Sequence, residues 1–119
     1  MAIMGINAAA RRRYTLKEDQ GGNPTVFVYT LPTLPMQQEI FARMIDNANR
    51  LKLVDDVLRE CIVDVENLQV AEDGNPAKAT LSWKKDKSAV MLALSPLQRI
   101  EISDAIIASM QCDKETEKN

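Results

Sequence analysis

Apolar residues recur along the middle of this chain at helical intervals. Met36, Ile40, Met44, Leu51, Val54, Leu58 and Ile62 stand 3, 4 or 7 residues apart, within about 80° of one another at 100° per residue. The spacing predicts helix from Pro35 onward. In Leu31-Pro32-Thr33-Leu34-Pro35 each proline biases its predecessor away from helix, while Pro35 itself suits a first helical turn. Asn47 alone intrudes on the stripe's phase, which permits one long helix over 35–63 or two helices broken around Asp46-Asn47-Ala48-Asn49. Ordinary helix lengths favour the break. Leu53 and Val57 form a second apolar stripe, with Phe41 and Ile45 elsewhere around the barrel, so these helices imply more than one neighbour.

Before the helices, two runs rich in β-branched and aromatic residues, Arg13–Leu16 and Thr25–Tyr29, read as a hairpin. Val26 and Val28 point to one face and Phe27 to the other, and a lone hairpin must pack on something to persist. After the helices the pattern decays through 63–70 into Ala71-Glu72-Asp73-Gly74-Asn75-Pro76, a turn by its Gly, Asn and Pro content. Thr80 to Trp83 reads as extended and Ser88 to Leu94 as a short helix. Ser95-Pro96-Leu97-Gln98 is a capping box with proline at the first helical position, and the helix it opens should run to about Met110. Leu97, Ile100 and Ile107 together with Ile102, Ile106 and Met110 cover roughly 220° of that helix, more than a surface helix needs. The resulting fold class is mainly α (α+β), a short N-terminal β-hairpin packed on a small helical bundle. Residues 1–12 form a flexible arm, 13–111 one globular domain and 112–119 a frayed, charged tail.

Composition narrows the chemistry. The chain has 119 residues, 45% apolar and 27% charged, with net charge −2 and no histidine. Imidazole acid/base catalysis, His-based triads and His-ligated metals are thereby excluded. Near-balanced charge and few aromatic residues argue against nucleic acid as partner. Arg11, Arg12 and Arg13 follow an apolar stretch, the reverse of a secretory signal, and no run is long enough to span a bilayer. The expectation is a reducing cytoplasm, with no membrane. Cys61 and Cys112 lie far apart without a CxxC, and Cys61 among Leu58, Ile62 and Val65 reads as a small core hydrophobe. Phosphate-cradling and nucleophile-elbow patterns are absent. Asp64, Glu66, Glu72 and Asp73 lack an EF-hand arrangement, and Lys84-Lys85-Asp86-Lys87 reads as a surface loop. Asp55/Asp56 and Glu101/Asp104 read as solvated helix faces rather than an acid/base pair. No enzyme, metal or cofactor is expected. Surplus apolar faces remain, and they single out Leu53 and Val57 on the middle helix and Ile102, Ile106 and Met110 on the last as candidates for partner binding or self-association.

Taken in order, RRYTLKED, VFVYTLPTLP leading into helices, the ENLQVAEDGNP turn region and the final LSPLQRIEISDAI helix resemble the layout of the tail assembly chaperones of long-tailed phages, or a neighbouring small phage tail or head-completion protein. The resemblance covers residues 13–110 and lies in serial order rather than in a diagnostic motif. It implies a non-enzymatic factor of the host cytoplasm that coats the tape measure protein and helps tail-tube subunits polymerise around it. It also implies a helical homo-oligomer, often made as a longer frameshifted product too. A different class fits as well: a small inhibitor or adaptor that binds a host protein through the acidic stretch 53–75, which holds seven acids and one base. A structural tail or neck subunit is a further alternative.

Overall fold

The computed structural model describes residues 5–7, 9–43, 50–71 and 78–110. Its first elements are the expected hairpin. Strand β1 (Arg12–Tyr14) pairs antiparallel with β2 (Val26–Tyr29), with Arg13 opposite Val28 and Tyr14 opposite Phe27. The long connection is held by its own bonds: Asp19 Oδ2 accepts from the Thr25 amide at 2.9 Å, and the Gln20 side chain donates to the Leu16 carbonyl.

Helix α1 (Leu34–Arg43) starts at the Leu-Pro run as expected. The Thr33 hydroxyl accepts from the Met36 amide and donates to Glu60, so a single side chain caps α1 and ties it to helix α2 (Arg50–Cys61). The residues 44–49, on which the expected break falls, lie outside the described residues. Helix α2 buries Leu53, Val54, Val57, Leu58 and Cys61. Ile62, read above as the end of the helical stripe, instead begins a strand, β3 (Ile62–Glu66), that follows α2 without an intervening residue. The change is made possible by two donors from elsewhere in the chain. The Thr30 amide takes the Cys61 carbonyl at 3.0 Å, and the indole N–H of the buried Trp83 takes the Ile62 carbonyl at 2.9 Å.

With β3 the hairpin becomes a three-stranded antiparallel sheet in the order β1-β2-β3. Val63 is the extra residue of a bulge where the register shifts between Val28 and Tyr29. One face presents Phe27, Tyr29, Ile62 and Val65 to the core, all buried. On the other, Arg13 and Glu66 form an ion pair at 2.6 Å that crosses β2. Strands β4 (Gln69–Ala71) and β5 (Lys78–Thr80) form a separate antiparallel pair, joined to the core by the Leu81 amide donating to the Leu68 carbonyl. Of the expected turn over 71–76, Ala71 closes β4 and the rest lies outside the described residues.

Helix α3 (Lys87–Ala93) is capped by Asp86, whose carboxylate accepts from the Ala89 amide at 3.0 Å. Helix α4 (Pro96–Ser109) carries the capping box read from the sequence: the Gln98 amide donates to Ser95 Oγ, and Gln98 Oε1 accepts from the Ser95 amide. It lies against α2 and the sheet, burying Ile102, Ser103 and Ile106. Two tyrosines tie α4 to the strands. Tyr14 donates to Glu101 Oε2 at 2.6 Å, and the Tyr29 hydroxyl is 2.8 Å from Ser109 Oγ two turns further on. The architecture is α+β, a small sheet and hairpin packed on helices. Among the described residues no helix is long and apolar enough to cross a membrane.

Candidate functional site

The residues selected above for surplus apolar faces meet one another inside the molecule. Leu53 (4% exposed), Val57, Ile102 and Ile106 (each 0%) belong to the core where α2 and α4 pack, and Met110 packs against it. Leu53, Val57, Ile102 and Ile106 therefore offer no surface in this fold and Met110 offers part of one; the second stripe of α2 meets its further neighbours within the domain. The reason lies in the position of α2, which is covered by α4, by the sheet and by α1 at once, so its buried arc is broad enough to take both stripes. Leu51, a member of the first stripe, is the residue left outside, 51% exposed.

The outward apolar side chains are others. On α1, Leu34 (67% exposed) and Phe41 (56%) stand seven residues apart, about 20° apart on the helical wheel and about 100° to 120° round it from the buried Ile40. Leu92 (86%) on α3 and Leu97 (78%) on α4 flank the Leu94-Ser95-Pro96 corner. Sequence reasoning passed over these four. A signal was present for Leu97: once Ile102 and Ile106 define the core side of α4, the 100° step places Leu97 on the opposite side.

Polar residues able to carry chemistry are largely committed to the fold. Asp55 and Asp56 are not a pair: Asp55 meets Arg99 of α4 at 3.1 Å, and Asp56 meets Arg43 of α1 at 2.9 Å. Each carboxylate holds a different helix onto α2. Glu101 accepts from Tyr14 and from the Lys17 amide, and these bonds hold its carboxyl below the usual range. Partial burial and the same contact push the Tyr14 phenol up to about 12. Cys61 is a buried free thiol, pushed up to about 12 by burial and by the Glu60 carboxylate, so it is a core hydrophobe rather than a nucleophile. Of the basic loop, Asp86 caps α3, Lys87 lies 5.6 Å from the Trp83 ring centre, and Lys84 and Lys85 are exposed. Arg13 is taken by Glu66, and the Arg12 guanidinium donates to the Asn7 and Ala10 carbonyls. Among the described residues no group of His, Cys, Asp or Glu is placed to hold a metal ion.

The acidic stretch 53–75 changes character in three dimensions. Asp55, Asp56 and Glu66 are neutralised by Arg99, Arg43 and Arg13, all from outside that stretch. Glu60 accepts from Thr33. The chain matches no protein-family profile, no curated protein and no solved structure.

Proposed function

We propose that this chain is a non-enzymatic assembly factor of a long-tailed phage. It works in the host cytoplasm by binding the tape measure protein, associating with copies of itself and helping tail-tube subunits polymerise around the complex. The serial layout of residues 13–110 suggests the context. The observation that carries the reading is physical: Leu34, Phe41, Leu92 and Leu97 stay exposed on three helices although the domain already has a buried core. Single exposed leucines are ordinary on a monomer, but side chains 56% to 86% exposed beside a turn or along one helix ridge suit the docking of an amphipathic helix. The inhibitor reading has less support, because three carboxylates of its acidic contact surface are held in ion pairs.

Capture of the tagged chain from phage-infected cells, with mass spectrometry of the eluate, tests the proposal. A long phage-encoded coiled-coil protein together with the tail-tube subunit is the expected result. Recovery of a single host protein overturns it in favour of the inhibitor, and recovery with finished virions in favour of a structural subunit. Phe41→Ser and Leu97→Ser chains should fold and lose the capture.

A further inference from the structure

The two outer edges of the three-stranded sheet are not alike. The Thr30 amide reaches the Cys61 carbonyl, which turns Thr30 and, by alternation, Val28 towards β3 and leaves Tyr29 and Phe27 to bond with Arg12 and Tyr14 on β1. The main-chain groups that point outward are therefore those of Ile62 and Val65 on β3 and of Arg13 on β1. The edge of β3 is occupied. Asp64 Oδ1 accepts from the Val65 amide at 2.9 Å, the Trp83 indole takes the Ile62 carbonyl, and the bulge at Val63 bends the strand.

The edge of β1 is open. Among the described residues no donor or acceptor meets the Arg13 main chain on its outer side. A charged side chain ordinarily blunts such an edge, but Glu66 draws the Arg13 guanidinium inward across β2, with Nη2 2.6 Å from Oε1 and Nη1 3.3 Å from Oε2. We propose that β1 pairs antiparallel with β1 of a second copy, about a two-fold axis through Arg13, so that two three-stranded sheets become one continuous sheet. A strand edge is its own complement under that rotation: the Arg13 N–H of each copy meets the Arg13 carbonyl of the other. The occupant follows from this self-complementarity and from the number of open edges, since one per chain closes at two copies whereas two would propagate. Arg13 opposite Arg13 is a pairing of like charges, ordinarily unfavourable; the Glu66 carboxylates neutralise both and hold them over their own sheets.

The pairing rests on the self-association read above and names how two copies meet. Its test is sedimentation velocity of the full chain over a concentration series, with amide exchange of residues 11–16 followed at the same concentrations. The parent chain is expected to associate and the segment to gain protection as it does. Arg13→Ala keeps the main-chain donor and should associate within about threefold of the parent. Arg13→Pro removes that donor, which faces away from β2 and so is dispensable to the fold, and should weaken association about tenfold or more. Circular dichroism melts check both variants, and if the proline chain melts early the exchange of the parent decides. The proposal is overturned by a folded proline chain that associates like the parent, by a segment 11–16 that exchanges equally at every concentration, or by protection that arises only with another protein from infected cells, which makes the occupant an extended segment of that protein. If copies associate while 11–16 stays unprotected, they meet through another face and the self-association reading stands; a chain monomeric throughout overturns both.

Discussion

Tyr14 and Glu101 stabilise one another as long as the phenol keeps its proton and the carboxyl has lost its own. The Glu101 carboxyl is lowered in the fold, so the stability it contributes is present above its unfolded pKa and is lost as pH falls through the folded value. Tyr14 is raised to about 12, so its contribution is present below the unfolded phenol value and disappears as pH climbs towards 12. Tyr14→Phe should therefore cost about 1 kcal/mol at neutral pH, the modest worth of a half-exposed bond to a charged acceptor. It should also flatten the stability profile at both extremes, as urea melts from pH 3 to 11 would register; an unchanged profile would show the contact to be idle. Asn67 makes a second residue-scale case. Its φ of 62° is left-handed, and its side-chain amide donates to Asn23 Oδ1 and the Pro24 carbonyl. Asn67→Gly keeps the backbone and loses only those exposed bonds, whereas Asn67→Ala also meets the steric cost of that region. The alanine chain should be less stable by about 1 kcal/mol than the glycine chain in thermal melts.

Elements were legible in the sequence where a local mechanism names the residues. Ser95, Pro96 and Gln98 announce the start of α4 because each supplies or forgoes a particular hydrogen bond, and Ser95→Ala should cost about 1 kcal/mol by denaturant titration. The Leu-Pro run marks α1 for a similar reason. Strand β3 was not legible as a strand, although Val63-Asp64-Val65-Glu66 alternates. Its first residue continues the helical spacing from Leu58, no Gly or Pro separates it from α2, and the donors that end the helix, Thr30 and Trp83, lie far away in the chain. The clamps on α2 were equally invisible, since nothing in the sequence says that neighbouring Asp55 and Asp56 face different helices. They make a prediction specific to this arrangement. A double-mutant cycle of Asp55→Asn with Arg99→Gln should return a coupling of about 1 kcal/mol, while Asp56→Asn with Arg99→Gln should return close to none, because Asp56 belongs to Arg43.

At the scale of the molecule the question is which apolar residues face inward, and periodicity alone does not decide it. A stripe shows that residues share a face; the core side depends on how many neighbours cover the helix, which is a property of the assembled domain. So Leu53, Val57, Ile102 and Ile106, chosen as contacts, are core, while Leu92 and Leu97 are the most exposed large apolar residues among those described. The distinction can be measured with one pair of substitutions. Ile106→Ser empties a fully buried position and strands a hydroxyl beside Ser103, whose own Oγ is buried without a partner. It should destabilise the chain by about 3 kcal/mol or more, with loss of the cooperative melt as the visible sign. Leu97→Ser removes a side chain already in water, so its melt should stay within about 0.5 kcal/mol of the parent. If the outward leucines serve association, the Leu97→Ser chain alone should move to smaller species in sedimentation velocity while keeping its fold. A folded Ile106→Ser chain of reduced oligomeric size would reverse the assignment and put α4's Ile102–Ile106 side at the interface. A Leu97→Ser chain unchanged in size would leave the α3–α4 corner out of self-association and shift the weight to the Leu34–Phe41 ridge of α1.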